Sequence, residues 1–240
     1  MRTAIVTGAG TGIGRAVAAA LHADGHHVVV TGRRPDPLKA LVAQLGDRAV
    51  AVPFDAADPA AVEAARDQLP DHVDVLVNNA GGNTDFDRDA APELAAVAAA
   101  WQANLDANLL SAVLVTTALR DRLRPGGTVV HIGSIAADKG AGAYGAAKAG
   151  LASWTVDLAQ QLGPDGVTVN TVAPGYVADT EFFRDRLTGE RRAALIEAAA
   201  TRRASAPDDI AATVAFLASP GARQITGQCV AVNGGERTTR

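Results

Sequence analysis

Tyr144 and Lys148 stand four residues apart, and on a helix that spacing puts both side chains on one face. The pairing has a chemical use. An isolated tyrosine titrates at about pKa 10, too high for efficient proton exchange at neutral pH. An ammonium beside it favours the phenolate and brings that value down. Ten residues upstream, Ser134 follows the apolar run Thr128–Gly133 and so falls at the carboxyl end of a strand, where open parallel sheets bind ligands. A hydroxyl there can hydrogen-bond a substrate oxygen and hold it near the phenol. The competing readings are a packed tyrosine, a solvated lysine and an ordinary loop serine.

A second cluster lies near the N-terminus. Thr7-Gly-Ala-Gly-Thr-Gly-Ile-Gly14 follows a short apolar run and opens a helical stretch. Glycines let the backbone turn tightly and approach a pyrophosphate, whose charge faces the free N–H groups of the helix N-terminus. The spacing Gly8-x-x-x-Gly12-x-Gly14 differs from the common G-x-G-x-x-G, whose third glycine would fall at Ile13. Thr11 and Ile13 share this turn. At the end of a second apolar run, His27–Thr31, stand Gly32, Arg33 and Arg34. NAD-selective sites place a carboxylate there to hold the ribose diol, whereas arginine suits a 2′-phosphate. The pattern predicts NADP(H) in preference to NAD(H), unless both arginines are solvated surface charges. Asp36 is separated from them by Pro35 and is expected to precede the next helix.

These groups need a frame, and the alternation of β-branched runs with alanine-rich stretches predicts one. Strands are expected at Ala4–Thr7, His27–Thr31, Ala49–Pro53, Val73–Asn78, Thr128–Gly133, Val167–Ala173 and Cys229–Val232. Helices are expected at Gly12–Asp24, Pro37–Leu45, Asp58–Leu69, Pro92–Leu123, Gly142–Leu162 and Asp208–Ala218. The fold class is α/β: a doubly wound, Rossmann-type parallel sheet in one domain, with about seven strands and helices on both faces. Gly46 and Gly163 fit the glycine just past a helix end. Thr84–Pro92 reads as an aspartate-rich loop. The stretch 176–206 interrupts the rhythm and reads as a lid or insertion on the substrate side, the alternative being a surface excursion.

Composition removes several classes. The 240 residues carry a net charge of −4 with no basic stripe, which argues against a nucleic-acid partner. Cys229 is the single cysteine, so there is no intrachain disulfide framework or multi-cysteine metal site, and it is expected to pack on a strand. No apolar run reaches the roughly 18 residues of a membrane span, and Thr3–Thr7 is too short for a signal peptide. A cytoplasmic enzyme is the expectation.

Taken in order, Thr7-Gly8-x-x-x-Gly12-x-Gly14, Asn78-Asn-Ala-Gly81, Ser134, Tyr144-x-x-x-Lys148 and Pro174-Gly175 resemble the short-chain dehydrogenase/reductases, and 3-oxoacyl-ACP reductases among them. The resemblance covers essentially the whole chain. It implies that Lys148 also hydrogen-bonds the nicotinamide ribose and that Asn108 holds a water joining the lysine to solvent, with Asn104 a nearby competitor. Asp55 and Ala56 match an adenine-contacting pair, though a helix-leading aspartate is the alternative. Asn79, Ala80 and Gly81 would support the adenosine ribose, or form a structural turn only. Pro174, Gly175, Val177 and Thr180 match the segment that orients the nicotinamide amide. Ketones or 3-oxoacyl groups become the expected substrates, and a homo-oligomer, dimer or tetramer, pairing through the two longest helices becomes the expected assembly.

One departure stands out: Ser134 and Tyr144 are closer in sequence than similar enzymes usually have them, so the loop Ile135–Ala143 reshapes one wall of the substrate site. His131 is expected to be a core or interface histidine rather than a base. The remaining alternatives are a dinucleotide-sensing regulatory protein, or an epimerase or dehydratase of the same fold. The complete Ser134, Tyr144 and Lys148 set argues against both.

Overall fold

Thr3–Val6 (β1), His27–Gly32 (β2), Ala49–Pro53 (β3), Val73–Asn78 (β4), Leu123–Ile132 (β5), Thr168–Pro174 (β6) and Cys229–Val232 (β7) form one sheet in the order β3-β2-β1-β4-β5-β6-β7. Every pairing is parallel. The computed structural model describes residues 1–87 and 93–238. The strand order reverses between β1 and β4, so a crevice opens at their carboxyl ends.

Alternation along the central strands feeds two cores. Val6, Val30, Val77 and Val130 pack with Val17 and Leu21 of α1 (Gly12–Ala23), Leu41 of α2 (Pro35–Leu45) and Val214 of α9 (Pro207–Leu217). Ile5, Val29, Leu76 and Val129 face the other way, onto Val62 of α3 (Pro59–Ala65), Val115 of α5 (Ser111–Leu119) and Leu158 of α7 (Gly142–Leu162). Strands buried on both faces explain why their sequences are nearly all apolar.

Local chemistry sets the helix ends. Asp58 caps α3 by accepting from the Ala60 N–H at 3.0 Å, with Pro59 at the first helical position. Asp209 reaches back to the Ala206 N–H at 2.8 Å at the start of α9. Gly46 ends α2 with φ +82°.

Several boundaries differ from expectation. The stretch expected as one helix over Pro92–Leu123 is divided: α4 (Leu94–Leu105) passes through a π-helical turn, Asp106–Leu110, into α5, while Pro92 lies outside the described residues. Asp58–Leu69 tightens into a 3₁₀ turn at Arg66–Gln68. After α7 the backbone of Gly163 stays right-handed, and the left-handed residue is Gly166, φ +72°. The expected loop Thr84–Pro92 holds a 3₁₀ turn at Thr84–Asp87, and its remainder is outside the described residues. Cys229 lies on a strand as expected but is exposed, because β7 is the sheet's edge. The 176–206 segment contains a helix that periodicity did not reveal, α8 (Gly189–Ala198), which buries none of its residues. Among the described residues no helix is long and apolar enough to cross a membrane.

Candidate functional site

The glycine turn is locked to the loop after β4. Thr7 Oγ1 accepts from the N–H groups of Asn79 and Ala80, both at 3.0 Å, while Asn79 Nδ2 donates to the carbonyls of Thr7 at 2.9 Å and Gly8 at 3.0 Å. A Cβ on Gly8, where φ is +63°, would meet Ala80 Cα at 2.8 Å, and one on Gly14 would meet the Gly8 carbonyl at 2.4 Å. Only glycine permits this interlock. The Asn79 side chain therefore holds the turn. Thr7, a residue that the sequence reading left without a role, supplies the buried hydroxyl at its centre.

Beyond the turn, α1 begins with no acidic residue in its first turn and no side-chain cap from Thr11. Its amide groups and dipole can take an anion, so a pyrophosphate fits. Arg33 and Arg34 lie exposed at the end of β2, and Asp36 sits inside the first turn of α2. Asp55 is fixed by the Ala57 N–H at 3.0 Å. Thr180 approaches Gly12 so closely that its Cγ2 lies 3.3 Å from where a Cβ would stand.

One cleft of about 1470 Å³ unites these groups with the proposed chemistry. Gly8, Thr11, Gly12, Ile13, Arg33, Arg34, Asp55, Ala56, Asn79, Ala80 and Gly81 line one end. Ser134, Tyr144, Lys148, Pro174, Gly175, Val177 and Thr180 line the other. Gly14 and Asn108 are not on its wall; both act behind it.

Tyr144 and Lys148 are buried on the same face of α7. Burial pushes the phenol up to about 12, and a hydrogen bond with Ser134 pulls it partly back. Lys148 is lowered to about 8, also by burial. Its Nζ donates to the Ile132 carbonyl at 2.8 Å and stands 5.9 Å from the centre of the Tyr144 ring. The expected lysine-driven lowering of the phenol is not what dominates: both groups are desolvated, and the ammonium is turned to a carbonyl.

The short connection from Ser134 to Tyr144 converges through a small helix, α6 (Ala136–Lys139), started by Ser134 Oγ accepting from the Ala136 N–H at 3.1 Å. Gly145 lets α7 close on it, since a Cβ there would lie 2.8 Å from the Ala136 carbonyl oxygen. An ion pair between Lys139 and the nearly buried Glu236 carboxylate ties α6 to the C-terminal segment. Sequence reading missed Glu236 because the contact spans 97 residues.

Asn108 and Asn104 are both buried and have separate tasks. Asn108, inside the π turn, accepts from the Gly82 N–H and donates to its carbonyl, both at 2.9 Å. Asn104 accepts from the Thr84 N–H at 3.2 Å and donates to Asp85 at 2.8 Å. Gly81, with φ +150°, makes room for Asn108: a Cβ would sit 2.6 Å from its Oδ1. His131 is a core residue, fully buried, stacked on Trp154 at 5.0 Å and hydrogen-bonded to Asn78. Burial, then the Lys148 charge, lowers it to about 3, so it stays neutral.

The 176–206 segment leans over the cleft. Its base is pinned by a bridge between Val177 and Ser205. The Phe182 ring lies tilted against Tyr144 at 5.5 Å, Phe86 packs on Phe182 and Phe183, and Arg184 clasps Asp87 with two bonds of 3.0 Å. Among the described residues, the non-glycine positions with positive φ are Asp179, Arg184 and Arg202, all in this segment. Tertiary contacts thus override local preference there.

A family model described as enoyl-(acyl carrier protein) reductase matches residues 8–236. The chain is similar to the short-chain reductase protein NovJ of Streptomyces niveus, 40% identical over 97% of this chain and 92% of the relative. It is 35% identical to the 3-oxoacyl-(acyl-carrier-protein) reductase FabG of Vibrio cholerae, over 98% of this chain and 96% of the relative. Among solved structures, a short chain dehydrogenase from Burkholderia cenocepacia J2315 in complex with NADP superposes with a TM-score of 0.87. It is 34% identical and covers 99% of this chain and 98% of its own.

Proposed function

This chain belongs to the short-chain dehydrogenase/reductase family, and from that membership we propose an NADP(H)-dependent oxidoreductase acting between a ketone and a secondary alcohol, with Tyr144 as its acid/base. The observation that carries this reading is the buried Tyr144 phenol, lining with Ser134 and Lys148 the same cleft as the glycine turn. The nicotinamide, when bound, supplies or accepts the hydride. Ser134 holds the substrate oxygen by a hydrogen bond. Tyr144 gives that oxygen a proton in reduction and takes it back in oxidation. Lys148 contacts the nicotinamide ribose and keeps a positive charge near the phenol as it ionises, offsetting the cost of burial. Asn108 holds a water that joins this lysine to solvent.

Asp55 and Ala56 contact the adenine, Asn79, Ala80 and Gly81 support the adenosine ribose, and Pro174, Gly175, Val177 and Thr180 orient the nicotinamide amide. The relative from Vibrio cholerae is named a 3-oxoacyl reductase, which supports ketones or 3-oxoacyl groups as substrates here. The 176–206 segment then serves as the lid, with Phe182 and Phe183 as apolar contacts. A carbonyl panel followed by NADPH absorbance tests both ideas. Turnover is expected on ketones, and truncating Phe182 and Phe183 to alanine should raise KM more for bulky than for small substrates. No turnover on any ketone would reject the activity, and equal effects on large and small substrates would reject the lid.

We also propose a homo-oligomer, dimer or tetramer. Leu94, Val97 and Trp101 share one face of α4 and are exposed at 86%, 41% and 47%, an apolar stripe that a lone protomer leaves in water. Light scattering at micromolar concentration should return a multiple of 24.4 kDa, and a monomer would rule this out.

A further inference from the structure

Glu181 reaches from the 176–206 segment to the adenosine end of the cleft. Its Oε2 accepts from Arg34 Nη2 at 2.7 Å and from Thr11 Oγ1 at 3.5 Å. A guanidinium and a hydroxyl beside a glycine-rich turn are donors that a phosphate monoester would use, and here a carboxylate has them. The pair is open to water, with the two side chains 62% and 61% exposed, so folding gains little from it. Its position is more informative than its strength.

We infer that Glu181 is a specificity-determining residue: an intramolecular rival of the cofactor's 2′-phosphate for Arg34, which narrows the discrimination between NADPH and NADH. The inference rests on the reading above, in which the arginines after β2 receive that phosphate. A phosphate monoester carries about −1.5 to −2 charges and three acceptor oxygens, against a single charge on the carboxylate. It therefore displaces Glu181 from Arg34, at the cost of breaking the ion pair. NADH offers only a neutral diol there and leaves the pair intact. Each cofactor thus meets a different starting state, and the difference is set by one side chain.

Its neighbours connect this exchange to the reacting end. Thr180 lies against Gly12, and Phe182 lies against Tyr144. The strip of chain that competes for the 2′-phosphate site also covers the phenol.

Glu181→Gln keeps the size of the side chain and removes its charge. NADPH and NADH are titrated separately, by nicotinamide fluorescence, into the full chain as wild type, Glu181→Gln, Arg34→Ala and the double variant. Glu181→Gln is expected to tighten NADPH about two- to fivefold, the range for an exposed ion pair, without a matching gain for NADH. The gain should vanish when Arg34 is alanine. An unchanged or lower NADPH/NADH ratio in Glu181→Gln, or an equal gain without Arg34, would overturn the inference. The arginine reading answers separately: an NADPH/NADH ratio left unchanged by Arg34→Ala rejects Arg34 as a phosphate partner and the rivalry with it, while a ratio that falls in Arg34→Ala but does not rise in Glu181→Gln rejects the rivalry alone.

Discussion

Replacing Tyr144 with phenylalanine is expected to remove most turnover while leaving NADPH binding nearly intact. The substitution deletes one hydroxyl and keeps the ring that packs 5.5 Å from Phe182, so the wall of the cleft keeps its shape. What is lost is the proton exchanged with the substrate oxygen, and positioned acid/base groups contribute about 10²- to 10⁴-fold to rate. Burial raises the phenol to about 12, so a positive charge beside it, that of Lys148, matters to its ionisation. Lys148→Ala provides the contrast. It removes that charge, a ribose contact and the 2.8 Å bond to the Ile132 carbonyl, so turnover and cofactor affinity should fall together. Steady-state rates paired with cofactor titrations separate the two outcomes. Wild-type rates in Tyr144→Phe on a good substrate would falsify the acid/base assignment.

Arg33→Ala should weaken NADPH binding by roughly 1.5–3 kcal/mol, the range for hydrogen bonds to charged groups, or about ten- to a hundredfold in Kd. NADH should bind almost as before, because the ribose diol has no charge to lose. Arg33 is expected to outweigh Arg34, which already shares its guanidinium with Glu181 at 2.7 Å. Titrating both cofactors against wild type and variant decides the matter. Equal losses for the two, or a wild-type preference for NADH, would count against a 2′-phosphate site.

The central strands were legible because they feed two cores and so carry long apolar runs, a signal that survives without any partner in view. β3, β4 and β7 match the expected ranges, and α7 matches from Gly142 to Leu162. Turn chemistry was equally legible where it is local: Asp58-Pro59 starts a helix by means contained within three residues. The order of the motifs carried the family, since all but the Tyr144–Lys148 pair of α7 sit at the carboxyl end of a strand.

Other features depend on contacts far apart in the chain. The break at Asp106–Leu110 has no proline or glycine to announce it, and the turn's buried Asn108 holds the backbone of Gly82. The same distance hides the Lys139–Glu236 ion pair that anchors the shortened wall and the Glu181 carboxylate beside Thr11. Cys229 shows the converse: its type predicts burial, but its strand is the last in the sheet. The balance around Tyr144 was also beyond the sequence. Residue spacing places a lysine near a phenol, but only packing decides how much water each retains, and at Tyr144 desolvation is the larger influence. By itself, then, the sequence determined the sheet and the glycine turn and put Tyr144 and Lys148 on one helix face, because these follow from periodicity and local spacing. Tertiary structure alone decided which donors are already occupied, because hydrogen bonds and burial join residues that the chain keeps apart.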